Sequence, residues 1–286
     1  MFVRGILAKS VGMVARLDRS EAISLVLNMA EKFRGAGFSV FFEPCLAEQI
    51  GERDFSMPLE RMETDLIVTV GGDGTILRTC LRIPKPEPPI LAIGMGARGF
   101  LTEVLPERAL EAVDRYIEGL YRVEFCSKIA SFIGGTRLPD ALNEVFITSR
   151  HLAKTLSVRV WKNNFAVAEF SADGVIVASQ VGSTAYSFSS GGPILDPEVD
   201  ALVLTPVCPI SLMRSMVFPS SSHVTVEMLR PKAAMIVIDG DYQKNIGDGE
   251  TKVTVRVSEH KSRFIRFEDN FYKRLKDRLL FSREES

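Results

Sequence analysis

Asp65-Leu66-Ile67-Val68-Thr69-Val70-Gly71-Gly72-Asp73-Gly74-Thr75-Ile76-Leu77-Arg78 runs from an apolar, β-branched segment through three glycines around one aspartate into a helix-forming stretch. Such a pattern predicts a buried strand, a tight turn and a helix N-terminus headed by Thr75. A corner of this kind attracts anions, because glycines let a phosphate approach the backbone and the first N–H groups of a helix carry partial positive charge. Asp73 places a carboxylate there, which makes it a candidate proton acceptor. An isolated Asp-Gly pair would read as an Asx-turn at a strand–helix junction. Two further glycines and the buried-strand pattern before them favour a site.

Working outward from this corner, the residues spell a parallel α/β layer. Phe2 to Ala8 is the expected first strand. From Ser20 a helical period places Ile23, Val26, Leu27, Ala30 and Phe33 on one face, and it stops at Gly35 and Gly37. Phe38 to Phe42 follows as a strand, then a loop, the strand Leu66 to Val70, the helix Thr75 to Leu81 and the strand Pro89 to Ile93. The proline-rich piece Pro84 to Pro89 reads as a rigid connector. Ligands of such sheets sit at the carboxyl ends of the strands, where Gly71 to Gly74 falls. A second glycine turn, Gly94-Met95-Gly96-Ala97-Arg98-Gly99-Phe100-Leu101-Thr102, ends the next strand and is expected to face the same crevice as Asp73. Its GxGxxG spelling comes too late in the layer for a dinucleotide fingerprint, so it reads as a wall of the site. Pro106 to Gly119 reads as a helix with Leu110, Val113 and Ile117 on its apolar side.

Beyond about Tyr121 the pattern changes to short strand-like runs: Ala141 to Thr148, Leu156 to Val160, Phe165 to Phe170, Gly174 to Ala178, His223 to Met228, Met235 to Asp239 and Thr251 to Val257. They predict a second, β-rich domain, with Asn163-Asn164 and Gly247-Asp248-Gly249 as hairpin turns. Asn270 to Phe281 is a basic helical segment with Phe271, Leu275 and Leu279 at helical spacing, expected to dock on the first domain. The resulting division is 1–120, 121–262 and a returning segment 263–286.

Composition narrows the function. The chain has 286 residues, 46% of them apolar, enough to fill a sizeable core. Its 35 basic and 36 acidic side chains nearly cancel, which argues against nucleic-acid binding and requires any anionic ligand to be held locally. Cys45, Cys80, Cys126 and Cys208 form no CxxC pair, and His151, His223 and His260 are scattered, so neither a disulfide framework nor a protein-held metal is expected. The N-terminal apolar run is too short for a signal sequence or a membrane span. The expected location is the cytoplasm, with no membrane partner.

The β-rich half carries a second dense signal, Asp173-Gly174 followed by Gly182-Ser183-Thr184-Ala185-Tyr186-Ser187-Phe188-Ser189-Ser190-Gly191-Gly192-Pro193-Ile194-Leu195. Hydroxyls, backbone donors and one aromatic ring suit the edges of sugars, phosphates and bases. Composition alone would also fit a flexible Ser/Gly linker, but strand-like residues on both sides favour a site loop. Taken in order with Gly71-Gly72-Asp73-Gly74-Thr75, Gly99-Phe100-Leu101-Thr102-Glu103 and Asn143-Glu144, this segment closely resembles the NAD kinase family over about Leu66 to Asp239. The aspartate turn by itself is shared with diacylglycerol, sphingosine and 6-phosphofructo-kinases. Asn143-Glu144 with the Thr-Ala-Tyr loop is more specific.

The resemblance implies a Rossmann-like N-terminal α/β domain and a β-sandwich-like C-terminal domain with NAD bound between them, often in a homodimer or homotetramer. It implies phosphorylation of the adenosine 2′-hydroxyl of NAD to give NADP, with ATP or polyphosphate as donor and Mg²⁺ on the donor phosphates. Asp73 would be the general base, Gly72 and Gly74 would line the phosphate path beside Arg78, and Phe100 would lie near the adenine. Asn143 and Glu144 would hold ribose and base groups, Lys154 would match a basic position after that pair, and Asp173 would reach the nicotinamide end. Thr184, Ala185, Tyr186, Ser187, Phe188 and Ser189 would complete the dinucleotide pocket. The chain departs from the family pattern at Gly94 (usually asparagine), at Ser179-Gln180-Val181 (usually Thr-Pro-Thr), at Ile210 (usually histidine) and at Asp241 (usually glutamine). A lipid kinase of the same superfamily is opposed by Asn143-Glu144 and Tyr186. A non-catalytic nucleotide-binding regulator is opposed by the intact Asp73, and a dehydrogenase by the lack of any pocket for hydride transfer.

Overall fold

The computed structural model describes residues 9–96, 99–151, 154–230, 233–247, 249–268 and 271–276. Two compact units emerge, one of residues 1–125 with 262–286 and one of residues 126–261.

In the first unit, four parallel strands, β1 (Ser10–Ala15), β2 (Ser39–Phe42), β3 (Leu66–Gly71) and β4 (Ile90–Gly94), lie in the order β2-β1-β3-β4. Every residue of β3 and β4 is buried, as strands covered on both faces must be, which explains their unbroken apolar runs. Helices α1 (Ser20–Gly35), α2 (Pro44–Ile50), α3 (Asp73–Arg82) and α4 (Ala109–Ile117) alternate with or follow the strands. The face of α1 that carries Ala22, Val26, Met29, Ala30 and Phe33 packs with β1, β3, β4 and Val113 of α4 in one core cluster.

Several expectations need correction here. The first strand observed is Ser10–Ala15, and Phe2 to Ala8 lies outside the described residues. The stretch read as a loop before β3 contains α2, which Pro44 opens at its first position and Gly51 closes in the left-handed conformation. Pro106–Arg108 is a separate 3₁₀ turn before α4, and the buried face of α4 is Ala109, Ala112 and Val113, with Leu110 exposed.

The chain enters the second unit within β5 (Arg122–Ile133), which forms a hairpin with β6 (Thr136–Arg137), and a six-stranded sheet follows. Its strands are β7 (Glu144–Ser149), β10 (Gly174–Ala178), β11 (Ala201–Val207), β12 (Met216–Pro219), β14 (Ala234–Ile238) and β15 (Tyr242–Ile246), in the order β12-β11-β10-β7-β14-β15 with every pair antiparallel. A further antiparallel set joins β8 (Leu156–Lys162), β9 (Phe165–Ala172), β13 (Val224–Arg230) and the start of β16 (Lys252–Arg266), and β16 returns the chain to the first unit. The Asn163-Asn164 turn joins β8 to β9 with Asn163 at φ 54°, a conformation asparagine tolerates. Strands β5, β6, β11, β12 and β15 were not expected from the sequence. Asp248 of the other expected turn lies outside the described residues. Of the C-terminal segment, α6 (Phe271–Leu275) is described, and its Phe271 ring meets Phe100 of the first unit edge-on at 5.6 Å.

Candidate active site

Two groups of the singled-out residues take shape, one in each unit. In the first unit, β3 ends at Gly71, and Gly72 is the extended residue before α3, whose first residue is Asp73. The Asp73 carboxylate reaches the second glycine turn. Its two oxygens accept the backbone N–H groups of Phe100 (2.7 Å) and Leu101 (3.1 Å), so the second glycine turn holds the first one's acid. That turn is itself anchored. Buried Arg266 donates to the Leu101 carbonyl (3.0 Å) and to Glu103 (3.1 Å), Glu103 accepts the Phe267 N–H (2.8 Å), and Arg274 of α6 lies over the Phe100 ring at 5.7 Å.

Of the glycines near Asp73, packing requires Gly71 and Gly99, whereas Gly72 and Gly74 have open space where a side chain would start. A Cβ on Gly71 would stand 2.3 Å from the Thr75 hydroxyl, and one on Gly99 would stand 2.8 Å from the Thr102 hydroxyl and 3.1 Å from the Asp73 carboxylate. The departure at Gly94 has a similar reason, since a side chain there would press on Thr102 at 3.0 Å. The two turns line a crevice of about 370 Å³ with Arg16, Arg19, Gly71, Gly72, Gly94, Met95, Gly96, Gly99 and Thr102 in its wall. A neighbouring crevice of about 300 Å³ is lined by Arg16, Leu17, Glu43, Cys45, Gly74, Thr75 and Arg78. Arg78 is held there by a two-pronged ion pair with nearly buried Glu43.

In the second unit, Asn143 and Glu144 form a buried corner at the start of β7. Asp239, just past β14, accepts the N–H groups of Leu142 (2.7 Å), Asn143 (2.9 Å) and Glu144 (3.0 Å) with its carboxylate. From the other side, Ser179 donates its hydroxyl to the Leu142 carbonyl (2.5 Å) and its N–H to the Asn143 carbonyl (2.8 Å). Gly182 packs so close that a Cβ would fall 2.0 Å from the Asn143 carbonyl oxygen. With its backbone so fixed, the corner presents two buried side-chain oxygens, Asn143 Oδ1 and Glu144 Oε2, that have no hydrogen-bond partner among the described residues. Buried polar atoms without partners are costly, and a ligand is one way to satisfy them. Burial pushes the Glu144 carboxyl up to about 8, aided by the charge of Asp239 and opposed by the Tyr186 N–H. Burial also raises Asp239, to about 6, against the three N–H donors and the Lys128 ammonium.

The loop expected over Thr184 to Ser189 is a 3₁₀ turn, Val181–Thr184, followed by the one-turn helix α5 (Tyr186–Ser189). Tyr186 is 41% exposed, its ring edge-on to Phe146 at 5.2 Å, so it forms a wall open to solvent. Thr184 bonds the Val181 carbonyl (3.0 Å), and Ser187 is wholly buried against the Thr205 hydroxyl (2.8 Å). Ala185 and Phe188 are half-buried, and Ser189 is exposed. Lys154 is exposed just before β8, and Asp173 is exposed just before β10 with its N–H on the Val207 carbonyl. Arg16, Arg19 and Asp239 were not singled out from the sequence. With the first strand placed at Phe2 to Ala8, nothing marked Arg16 as the residue just past a strand end, whereas Asp239-Gly240 after an apolar run was a readable turn signal.

Comparison with known proteins fits both halves. The model of the ATP-NAD kinase N-terminal domain matches residues 11–121, and that of the ATP-NAD kinase C-terminal domain matches residues 142–267. The NAD kinase of Methanothermobacter thermautotrophicus is 39% identical over 94% of this chain and 96% of its own, and that of Thermococcus kodakarensis is 38% identical over 91% and 95%. Among solved structures, an NAD kinase from Archaeoglobus fulgidus in complex with ATP superposes with a TM-score of 0.79 at 27% identity, covering 94% of this chain and 99% of that one. Yeast NADH kinase complexed with NADH shares the fold, with a TM-score of 0.83 at 23% identity, covering 93% and 86%. Matched in both domains and similar to these relatives over nearly its whole length, the chain belongs to the NAD kinase family.

Proposed function

We propose that the chain carries out the family's reaction with Asp73 as the general base. The carboxylate takes the proton of the adenosine 2′-hydroxyl of NAD as that oxygen bonds the γ-phosphorus of ATP; the bond to the β-phosphate oxygen breaks, and NADP and ADP leave. The observation that carries this reading is the fixing of both Asp73 oxygens by the Phe100 and Leu101 N–H groups, between two glycine turns that wall a crevice. Phosphoryl transfer asks chiefly for positioning, charge stabilisation and a base for the attacking hydroxyl, and an oriented carboxylate beside a phosphate path supplies the first and the last.

Phe100 lies near the adenine in this reading. Asn143 and Glu144 meet ribose and base, with Thr184, Ala185, Tyr186, Phe188 and Ser189 around them. Lys154 and Asp173 serve the more distant parts of the dinucleotide. Mg²⁺ enters on the donor phosphates as part of the substrate. No helix among the described residues is long and apolar enough to cross a membrane. Four cysteines with no CxxC pair suit the reducing cytoplasm, where we place the protein as a homodimer or homotetramer.

The test is to incubate purified protein with NAD or NADH, Mg²⁺ and either ATP or polyphosphate, and to measure NADP(H). NADP formed from ATP is the expected result. No NADP(H) with either donor, or phosphorylation of diacylglycerol or sphingosine in its place, would overturn it.

A further inference from the structure

We propose that Arg16 and Arg19 form a clamp for the phosphate tail of the donor nucleotide, an inference that rests on the kinase reading above. The two arginines line the crevice of about 370 Å³ whose remaining wall is mostly glycine. That volume lies at the lower end of ordinary ligand pockets, the range of about 300 to 1,000 Å³, and suits a short phosphate chain better than a whole dinucleotide.

The fold ties each arginine to one of the two glycine turns. The Arg16 N–H bonds the Val70 carbonyl (2.9 Å), which sets Arg16 beside the end of β3, one residue past β1. Arg19, the residue before α1, reaches the Met95 carbonyl (3.4 Å) in the second turn. Both therefore stand at the carboxyl ends of parallel strands, where sheets of this kind bind ligands. The opposite wall at Gly72 and Gly96 has no side chain, so the backbone can approach phosphate oxygens closely.

The two arginines are the charged residues of the crevice wall, which suits an anion. Asp73 lies beside that wall, next to Gly72 in the chain and 3.1 Å from where a Gly99 Cβ would stand. Arg16 is paired through two nitrogens with Asp18 (2.5 and 2.7 Å), and that carboxylate occupies the fork as a phosphate would. Both partners are well exposed, 45% and 61%, so the pair contributes little and can be exchanged for phosphate oxygens cheaply. Arginine's planar fork matches phosphate bidentately, and its charge opposes the negative charge that develops on the donor during transfer.

The experiment compares the wild type with Arg16→Ala, Arg19→Ala and Arg16→Lys. Calorimetry reads the binding of Mg²⁺-AMP-PNP and, separately, of NAD; steady-state kinetics reads KM for ATP and for NAD; melting curves check the fold. Each alanine variant should weaken AMP-PNP binding and raise KM for ATP about tenfold to a hundredfold, the range for a lost charged hydrogen bond, while NAD affinity stays at the wild-type value. Arg16→Lys should recover part of the loss, since the charge remains and the fork does not. Unchanged AMP-PNP affinity in both alanine variants would overturn the clamp, and so would a loss that falls on NAD. A wild type that makes no NADP would overturn the kinase reading, while the AMP-PNP titration still decides the clamp.

Discussion

The two units hold acidic corners of opposite character. Asp73 sits where glycine backbone opens a crevice, and both of its oxygens receive N–H groups from a turn that Arg266 fixes from behind. Glu144 is buried beside a second carboxylate, one of its oxygens has no partner among the described residues, and its carboxyl is pushed up to about 8. The first arrangement orients a carboxylate for work on a proton. The second keeps a carboxyl neutral over much of the physiological range, so that it meets a ligand as a hydrogen-bonding group and not as a charge. A fold can thus use one side-chain type for chemistry in one place and for recognition in another, with the surroundings deciding.

The largest effect expected from breaking this contrast is at Asp73. Asp73→Asn keeps the shape and one acceptor oxygen but cannot usefully accept the 2′-hydroxyl proton. Loss of a general base costs about 10² to 10⁴ in rate, and the loss should fall on kcat more than on KM. If Asp73 merely formed a turn, asparagine would be nearly harmless, because it favours the same Asx geometry. Steady-state kinetics with a melting curve separates the two, and near wild-type kcat would remove Asp73 from the mechanism.

A smaller effect is expected at the second corner from Gly182→Ala. The added carbon would meet the Asn143 carbonyl oxygen at 2.0 Å and its carbon at 2.5 Å, and backbone atoms cannot swing aside as a side chain would. Overpacking of this kind costs about 1 to 3 kcal/mol. NAD affinity should fall with the melting temperature, while AMP-PNP affinity at the glycine crevice stays. A stability loss that left NAD binding intact would separate the Asn143–Glu144 corner from the dinucleotide.

The corners were not equally legible in the sequence. β3 and the turn after it could be read because both signals are local: β-branched residues buried on both faces, then a run of glycines that starts at Gly71, where packing allows no side chain. Asn143-Glu144 has no such local signature, and only its likeness to a family marked it. What shapes that corner arrives from far along the chain, since Asp239 and Ser179 hold its backbone from 96 and 36 positions beyond Asn143. Edge strands such as β12 and β15 escaped notice for a related reason. Met216–Pro219 and Tyr242–Ile246 show little apolar alternation, and pairing with β11 and β14 makes them strands. Ser187 marks a limit of motif reading, because it stands inside the expected pocket loop while its hydroxyl is turned to Thr205 in the core.

Tyr186→Ala should have a more modest effect. The ring is braced by Phe146 yet open to solvent, which suits a platform for a base or sugar. An aromatic contact contributes about 0.5 to 1.5 kcal/mol beyond its buried area, so NAD should bind about two- to tenfold more weakly. Unchanged affinity by calorimetry would leave the ring a packing partner of Phe146 alone.

The smallest effect is the one that most sharpens the contrast, and it is a matter of sign. In the unfolded chain a glutamate titrates at about 4.3, whereas in the folded protein Glu144 holds its proton to about 8. Between those values the native state binds more protons than the unfolded state, so stability falls as pH rises through the interval. Asp239 acts in the same direction but is complete by about 6. The decline between pH 6 and 8 therefore belongs to Glu144, and Glu144→Gln, which has no charge to acquire, should remove it. Melting curves at pH 5, 7 and 9 should show the variant gaining on the wild type as pH rises. NAD binding supplies a second reading, because glutamine resembles the protonated acid. Its affinity should lie within severalfold of the wild type at pH 7 and hold at pH 9, where the wild type weakens. A variant that lost stability or affinity equally at every pH would show that Glu144 works as a charged group, and the two corners would then be alike.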